Sequence, residues 1–271
     1  HETPELTTAQ WKAVINKLSD VGVFILTFTG GEPTLRDDLP ELLQYAQNKG
    51  IVTGLITNGR RLKDKEYVAK LERSGLDFAQ ITLESHKPKV HDAMTGAVGS
   101  WKETVAGIKN VVNSQIYVST NTTLSKHNAG GFLTTVDYIK ELGVDAFGCN
   151  SLIYSGKAPD ASDDFALTTD QLKTLLPQVR EKAQLLGLKF LWYTPTQYCE
   201  LDPVQLGLGI KSCTAALINA CVGPNGDVYP CQSYFESLGN ILTEPWEKIW
   251  HNPLAEKLRN REYVEDKCKD C

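Results

Sequence analysis

Val23-Phe24-Ile25-Leu26-Thr27-Phe28-Thr29-Gly30-Gly31-Glu32-Pro33 is the stretch on which the reading of this chain turns. Its first six residues are apolar or β-branched, too few for a helix, and bounded by Gly22 and the Gly30-Gly31 pair. They read as a strand buried on both faces in a parallel sheet. Where such a strand ends, two glycines let the backbone approach a ligand closely, and the carboxylate of Glu32 can receive an ammonium group. The flanking sequence decides whether this is a plain turn or the rim of a site.

Upstream, Thr7 with Gln10 forms a capping box, Trp11, Val14, Ile15 and Leu18 fall at helical spacing, and Gly22 stands where a left-handed cap would end the helix. Downstream the unit recurs. Helices near residues 39–48, from Asp64 to Gly75, and through Val136 and Ile139 to Gly143 precede strands over 51–56, 78–83 and 146–152. Ser100 with Glu103 reads as a second capping box ahead of a strand over 116–120, and Thr168 with Gln171 as a third ahead of one over 189–193. Six helices and six strands in αβ order predict an α/β fold, a parallel sheet with helices outside, doubly wound or barrel. A right-handed βαβ sheet begins with a strand, so the opening helix is expected to follow one that lies upstream of His1.

The strand ends share a chemistry. Thr57, Asn58 and Gly59 close the second strand, Thr82, Leu83, Glu84 and Ser85 the third, and Asn121, Thr122 and Thr123 the fourth. An α/β barrel sets its site at successive strand carboxyl ends, although any one of these residues could merely cap the following helix. His91-Asp92, in the loop after the third strand, reads as a surface or helix-start pair.

At 271 residues the chain suits one large α/β domain plus an appendage. Hydrophobic residues are 41% and charged residues 23%, and no apolar run nears the roughly 20 residues that span a bilayer, which excludes membrane and disordered classes. Lys+Arg of 28 against Asp+Glu of 33 gives a net charge of -5 with no dense basic block, so nucleic acid is not expected as a main partner. After Pro195 the sequence turns to short strands, glycines and cysteines. This places a domain boundary between about 195 and 210, with a barrel over 1–200 and a Cys-rich domain over 201–271.

Of 7 cysteines, Cys213, Cys221, Cys231, Cys268 and Cys271 crowd that end. An odd, uneven set with no signal peptide argues against a disulfide framework and for a reducing, cytoplasmic setting in which clustered thiols bind metal. Pro224-Asn225-Gly226 predicts a hairpin that draws its flanking cysteines together, and Cys268-x2-Cys271 lets two thiolates reach one centre. Soft thiolates suit zinc or an iron-sulfur cluster, and the spacing leaves both open. Cys221 reads as a packing thiol or a substitute ligand, and Cys149 as an inert core thiol.

Thr-Gly-Gly-Glu-Pro (29–33), Ile-Thr-Asn-Gly (56–59), Pro-Asn-Gly-Asp-Val-Tyr-Pro-Cys (224–231), Gly-Asn-Ile (239–241) and Trp-Glu-Lys-Ile-Trp (246–250) together closely resemble radical S-adenosylmethionine (SAM) enzymes with a SPASM or twitch extension, over nearly the whole chain. The resemblance implies a partial (β/α)6 TIM-like barrel that binds SAM beside a 4Fe-4S cluster, and an extension with one or two auxiliary 4Fe-4S clusters. By resemblance Gly30, Gly31 and Glu32 hold the methionine ammonium, and Thr57, Asn58, Thr82, Glu84 and Asn121 line the rest of the cofactor site. Cys213 and Cys231 match the first two auxiliary ligands. Cys268 and Cys271 either join them or begin a second cluster completed further on, with Cys221 as a substitute. Cys199, past the last barrel strand, is the candidate catalytic donor of a hydrogen atom or proton. The family's C-x3-C-x2-C is absent from these residues and is expected just upstream. The implied reaction cleaves SAM to a 5'-deoxyadenosyl radical that abstracts hydrogen from a substrate, foremost a peptide or protein undergoing maturation, with flavodoxin or ferredoxin as electron donor. The alternatives are a tetrapyrrole decarboxylase of the haem pathway and a non-catalytic iron-sulfur or zinc barrel protein.

Overall fold

The computed structural model describes residues 5–154 and 162–269. Two compact units are present, one from Ile25 to Ser212 and the other combining the residues up to Phe24 with those from Cys213. The opening helix α1 (Thr8–Asp20) therefore belongs with the C-terminal residues.

The larger unit is a six-stranded sheet of β1 (Ile25–Phe28), β2 (Val52–Thr57), β3 (Phe78–Thr82), β4 (Tyr117–Thr123), β5 (Ala146–Asn150) and β6 (Lys189–Trp192). Every neighbouring pair is parallel and the spatial order follows the chain. Parallel neighbours need a crossover. It is supplied by α2 (Leu39–Gln47), α3 (Lys65–Arg73), α4 (Pro88–Thr95) with α5 (Ser100–Val112), α6 (Phe132–Glu141), and α7 (Ser162–Phe165) with α8 (Thr169–Leu186). The expected α/β class is what the chain forms. Strand alternation sorts the two faces. On β3, Ala79 and Ile81 are buried in the cluster that also holds Leu55, Ile108, Phe132, Val136, Phe147 and Val179. Cys149 lies in this core, fully buried, and burial pushes its thiol well up. Phe78 and Gln80 face the other way, into a cavity of about 490 Å³ shared with Ile56, Tyr117, Ser119, Leu191 and Tyr193. Backbone glycines make room there. A Cβ on Gly54 would stand 2.0 Å from the Phe78 ring, and one on Gly148 would stand 2.0 Å from that of Tyr193.

Two local expectations are corrected. Ser100 and Glu103 do not form a capping box. Gly99, at φ +84°, precedes α5, and Asp92 caps it from α4, accepting from the Gly99 N–H at 2.7 Å, the Trp101 N–H at 2.8 Å and the Ser100 hydroxyl at 3.0 Å. Glu103 is drawn off to Arg60 at 2.5 Å and to Lys63. A carboxylate accepting three donors outcompetes the weaker local hydroxyl. The His91-Asp92 pair is thus no loop feature: it lies in α4, with His91 only 1% exposed and its Nδ1 accepting from the Glu84 N–H at 3.1 Å.

In the smaller unit, β7 (Cys221–Val222), β8 (Asp227–Tyr229) and β9 (Gly239–Asn240) form an antiparallel sheet, followed by α9 (Trp246–Trp250), α10 (Pro253–Arg259) and α11 (Asp266–Lys269). The predicted hairpin turn is present, closed by the Gly223 N–H donating to Asp227 O at 2.7 Å, with Gly226 at φ +88°. α1 carries its expected Thr7–Gln10 capping box and buries Val14, Ile15 and Leu18. The Leu6 N–H donates to Pro224 O at 2.7 Å, and the Lys17 ammonium donates to the carbonyls of Ile241 and Leu242. No helix among the described residues is long and apolar enough to cross a membrane.

Candidate functional site

β1 runs out into Gly30 and Gly31, both exposed, with Gly30 at φ +129° and open space where a Cβ would stand on either. Their backbone is open to a ligand. Glu32 then turns its side chain back over the strand ends. Oε1 accepts from the Thr34 N–H at 3.1 Å, the Thr34 hydroxyl at 2.6 Å and the Thr57 hydroxyl at 2.7 Å, and Oε2 accepts from the Asn58 N–H at 2.8 Å. One carboxylate thus ties the β1 loop to the end of β2. With two lone pairs on each carboxylate oxygen, Oε1 is fully used and Oε2, with its single donor, keeps room for one more.

Thr57 also accepts from the Gly59 N–H at 3.1 Å. Asn58 closes its own turn through Oδ1, which accepts from the Arg60 N–H at 2.9 Å, while its carbonyl accepts from Thr104 on α5 at 2.8 Å. That close approach depends on Gly107, where a Cβ would stand 2.2 Å from Gly59 O.

A second group forms at the ends of β3, β4 and β5. Thr82 lies opposite Asn121 in the register. Glu84 is 8% exposed, with Oε2 accepting from the Thr123 N–H at 2.9 Å. Burial pushes its carboxyl up to about 8 against the opposing effect of the Thr123 N–H, so at neutral pH it is mostly an uncharged acid that can donate as well as accept. Asn128, buried at 3%, donates to both Glu84 O and Thr123 O at 2.9 Å and fixes these two strand ends. The Asn121 Nδ2 donates to Asn150 Oδ1 at 2.9 Å, while the Asn121 Oδ1 is buried with no donor.

The expected residues therefore fall into two sets, Glu32 with Thr57 and Asn58, and Thr82 with Glu84 and Asn121, all at carboxyl ends of consecutive strands. Asn128 and Asn150 complete them and are not among the sequence candidates. Asn150 ends β5 as Asn121 nears the end of β4, so the rule that singles out Asn121 also reaches it. Asn128 stands three residues after Ser125, whose N–H donates to its Oδ1 at 2.9 Å, a side-chain turn pattern visible in sequence. A carboxylate with one free position beside open glycine backbone can receive an ammonium, and the neutral acid and the orphaned carbonyl lie at the ends of the next two strands.

The cysteines are spread more widely. Cys199 lies in an exposed turn after β6. Cys221 opens β7 opposite Tyr229, and its thiol is pushed up by burial and by the charge of nearby Cys231. The Cys231 Sγ accepts from the Ser233 N–H at 3.4 Å. Cys213 and Cys268 are exposed, and Cys271 lies outside the described residues. Among the described residues no three His, Cys, Asp or Glu side chains come together as a metal-holding group, and Cys221 lies near enough to Cys231 for the one to raise the thiol of the other.

Residues 1–139 match the Radical SAM superfamily, and residues 213–271 match SPASM, an iron-sulfur cluster-binding domain. Similar sequences include two from Methanosarcina barkeri, both 27% identical over 98% of this chain. One is an AdoMet-dependent heme synthase, covered over 80% of its length, and the other an Fe-coproporphyrin III synthase, covered over 73%. The PqqA peptide cyclase of Rhizobium meliloti is 26% identical over 98% of this chain and 71% of its own. Among solved structures, Streptococcus suis SuiB bound to S-adenosylmethionine has the same fold, with a TM-score of 0.78 at 19% identity over 100% of this chain and 64% of its own. Enzymes of this kind work with SAM and a 4Fe-4S cluster, and the SPASM region adds auxiliary clusters. The chain belongs to the radical SAM superfamily and carries a C-terminal SPASM region.

Proposed function

We propose that this enzyme removes a hydrogen atom from a tetrapyrrole that carries carboxylate side chains. The observation that carries the cofactor assignment is the row of polar groups at the ends of β1 to β5, where Glu32 keeps one acceptor position free and Asn121 keeps an unsatisfied carbonyl. SAM and its cluster, when bound, supply the one-electron chemistry that takes the hydrogen atom. The protein's own part is positional. Glu32, pinned by Thr34, Thr57 and Asn58, receives the ammonium beside Gly30 and Gly31. Thr82, the uncharged Glu84 and Asn121 hold the hydroxyls and the base, and the packed sheet keeps water from the reacting atoms.

The tetrapyrrole assignment is supported by the two Methanosarcina relatives, similar over 98% of the chain. Peptide modification is the second reading, favoured by the PqqA peptide cyclase at nearly the same identity. Cys213 and Cys231, with Cys221, Cys268 and Cys271, would hold the auxiliary cluster or clusters. Soft thiolates suit iron, and Cys221 already neighbours Cys231. Cys199 serves as the donor thiol, flavodoxin or ferredoxin as the electron source, and the reducing cytoplasm as the setting.

The test is anaerobic turnover of the reconstituted full-length protein with iron-coproporphyrin III. It is expected to shift the porphyrin's absorption on binding and to raise 5'-deoxyadenosine formation about tenfold over the substrate-free rate, about 1.4 kcal/mol in barrier. No absorption shift and no stimulation would remove the tetrapyrrole reading, and stimulation by a precursor peptide instead would establish the second.

A further inference from the structure

We propose that Arg61 is a positioning residue for the cofactor's ammonium group, acting through Thr34 to hold the Glu32 carboxylate in the orientation that keeps one acceptor position open. The inference rests on the cofactor assignment above and deepens it. The guanidinium governs recognition of the amino-acid half of SAM and leaves the nucleoside half alone.

Glu32 takes two of its four donors from a single residue. The N–H and the hydroxyl of Thr34 both donate to Oε1, and Thr34 is 0% exposed, in the single turn Pro33–Leu35 that follows the open glycines. The carbonyl of Thr34 is its third polar group, and it accepts from the Arg61 Nη1. A buried carbonyl with no donor costs as much as a lost hydrogen bond. Without Arg61 the turn therefore gains by moving toward water, and it takes both Thr34 donors away from the carboxylate.

Arg61 is itself held in place. Its guanidinium carbon lies 4.2 Å from the centroid of the buried Tyr67 ring on α3, and an aromatic face beneath a planar guanidinium orients it in a way that a lysine ammonium does not share. The exposed Asp37 carboxylate, 3.6 Å from Nη2, adds a weaker pull. The backbone from which the side chain extends is fixed as well. Arg61 opens the turn Arg61–Lys63, Leu62 is buried, and the Asn110 Nδ2 on α5 donates to Leu62 O at 2.9 Å and to Lys63 O at 2.8 Å. Asn58, whose N–H donates to the Glu32 Oε2, stands just ahead of this turn. The connections close on themselves, from Glu32 to Thr57 and Asn58, along the chain to Arg61, across to Thr34 and back to Glu32. A ring closed in this way fixes the carboxylate more tightly than either arm alone, and the donor it is left to receive is the ammonium.

The experiment is equilibrium dialysis, against reconstituted full-length protein, of SAM and of its desamino analogue, in which hydrogen replaces the ammonium. Arg61→Met keeps much of the side chain's bulk and loses its donors. It is expected to raise the Kd of SAM about tenfold, the value of one charge-assisted hydrogen bond, and to leave that of the analogue within about twofold of wild type. In a Glu32→Ala background Arg61→Met is expected to add less than about twofold, because the carboxylate through which it acts is gone. If the methionine variant does not fold, Arg61→Gln, too short to lie across the Tyr67 ring, is expected to give the same selective loss. Unchanged SAM affinity, a loss as large for the analogue as for SAM, or an undiminished further loss in the Glu32→Ala background would each overturn the role of Arg61. Glu32→Ala alone separates the two levels. If it weakens SAM binding while Arg61→Met does not, only the role of Arg61 falls, and if it leaves binding unchanged, the cofactor assignment falls with it.

Discussion

Glu84→Gln isolates the cost of burying a carboxyl at the end of β3. The side chain is 8% exposed, accepts from the Thr123 N–H, and carries a pKa pushed up by burial to about 8 from an ordinary 4.5. Below pH 4.5 both folded and unfolded chains hold the proton and burial carries no ionisation penalty. Between 4.5 and 8 the unfolded chain gives up its proton while the folded chain keeps it, so stability falls as pH rises, by about 1.4 kcal/mol per pH unit. By pH 7.5 the accumulated loss is about 4 kcal/mol, a large part of a domain's stability. Glutamine keeps the carbonyl for Thr123 and has no proton to lose. The assay is urea unfolding of wild type and variant at pH 5, 6, 7 and 8 in a common ionic strength. The variant is expected to gain on wild type steadily up to pH 8, and every other titrating group cancels in the difference. A stability difference that stays constant across this range would refute the reasoning, because it would mean that Glu84 ionises as readily in the folded chain as in the unfolded one.

Three further perturbations probe other levels. Gly107→Ala drives a methyl toward Gly59 O, 2.2 Å away, and is expected to cost about 1–3 kcal/mol in denaturant unfolding and to weaken SAM binding by displacing the Thr57–Asn58 turn. Full stability and affinity would show that α5 can draw back without cost. Lys17→Met removes the ammonium that joins α1 to the carbonyls of Ile241 and Leu242, and is expected to lower stability by about 1–2 kcal/mol and to speed proteolysis near the N-terminus. Cys213→Ala combined with Cys231→Ala is expected to remove about four iron atoms per chain from the reconstituted protein, measured by iron and sulfide analysis. An unchanged iron count would show that neither thiol is an auxiliary ligand.

The parts of the fold that were legible in the sequence are those set by neighbours along the chain. Periodicity and glycine stops located the six strands, and the Thr7–Gln10 and Thr168–Gln171 boxes formed because no other group competes for those helix starts. Ser100 and Glu103 satisfy the same pattern and fail it, since Asp92 reaches the helix start through the fold while Arg60 and Lys63 take the glutamate. The association of α1 with the C-terminal residues was hidden for a similar reason, because its anchors on Pro224, Ile241 and Leu242 lie over two hundred residues away. The two glutamates of the site mark the limit most clearly. Glu32 and Glu84 are the same residue type just past strand carboxyl ends, and the rule that points to a barrel site selects both without distinguishing them. Folding gives Glu32 four donors at a half-open rim, and gives Glu84 one donor inside the protein. One is arranged to receive a cation, and the other is arranged to keep its proton. That difference in role is made by Thr34, Thr57, Asn58 and Thr123, so a sequence can propose where carboxyl groups gather, while only the packed strand ends decide which of them is charged.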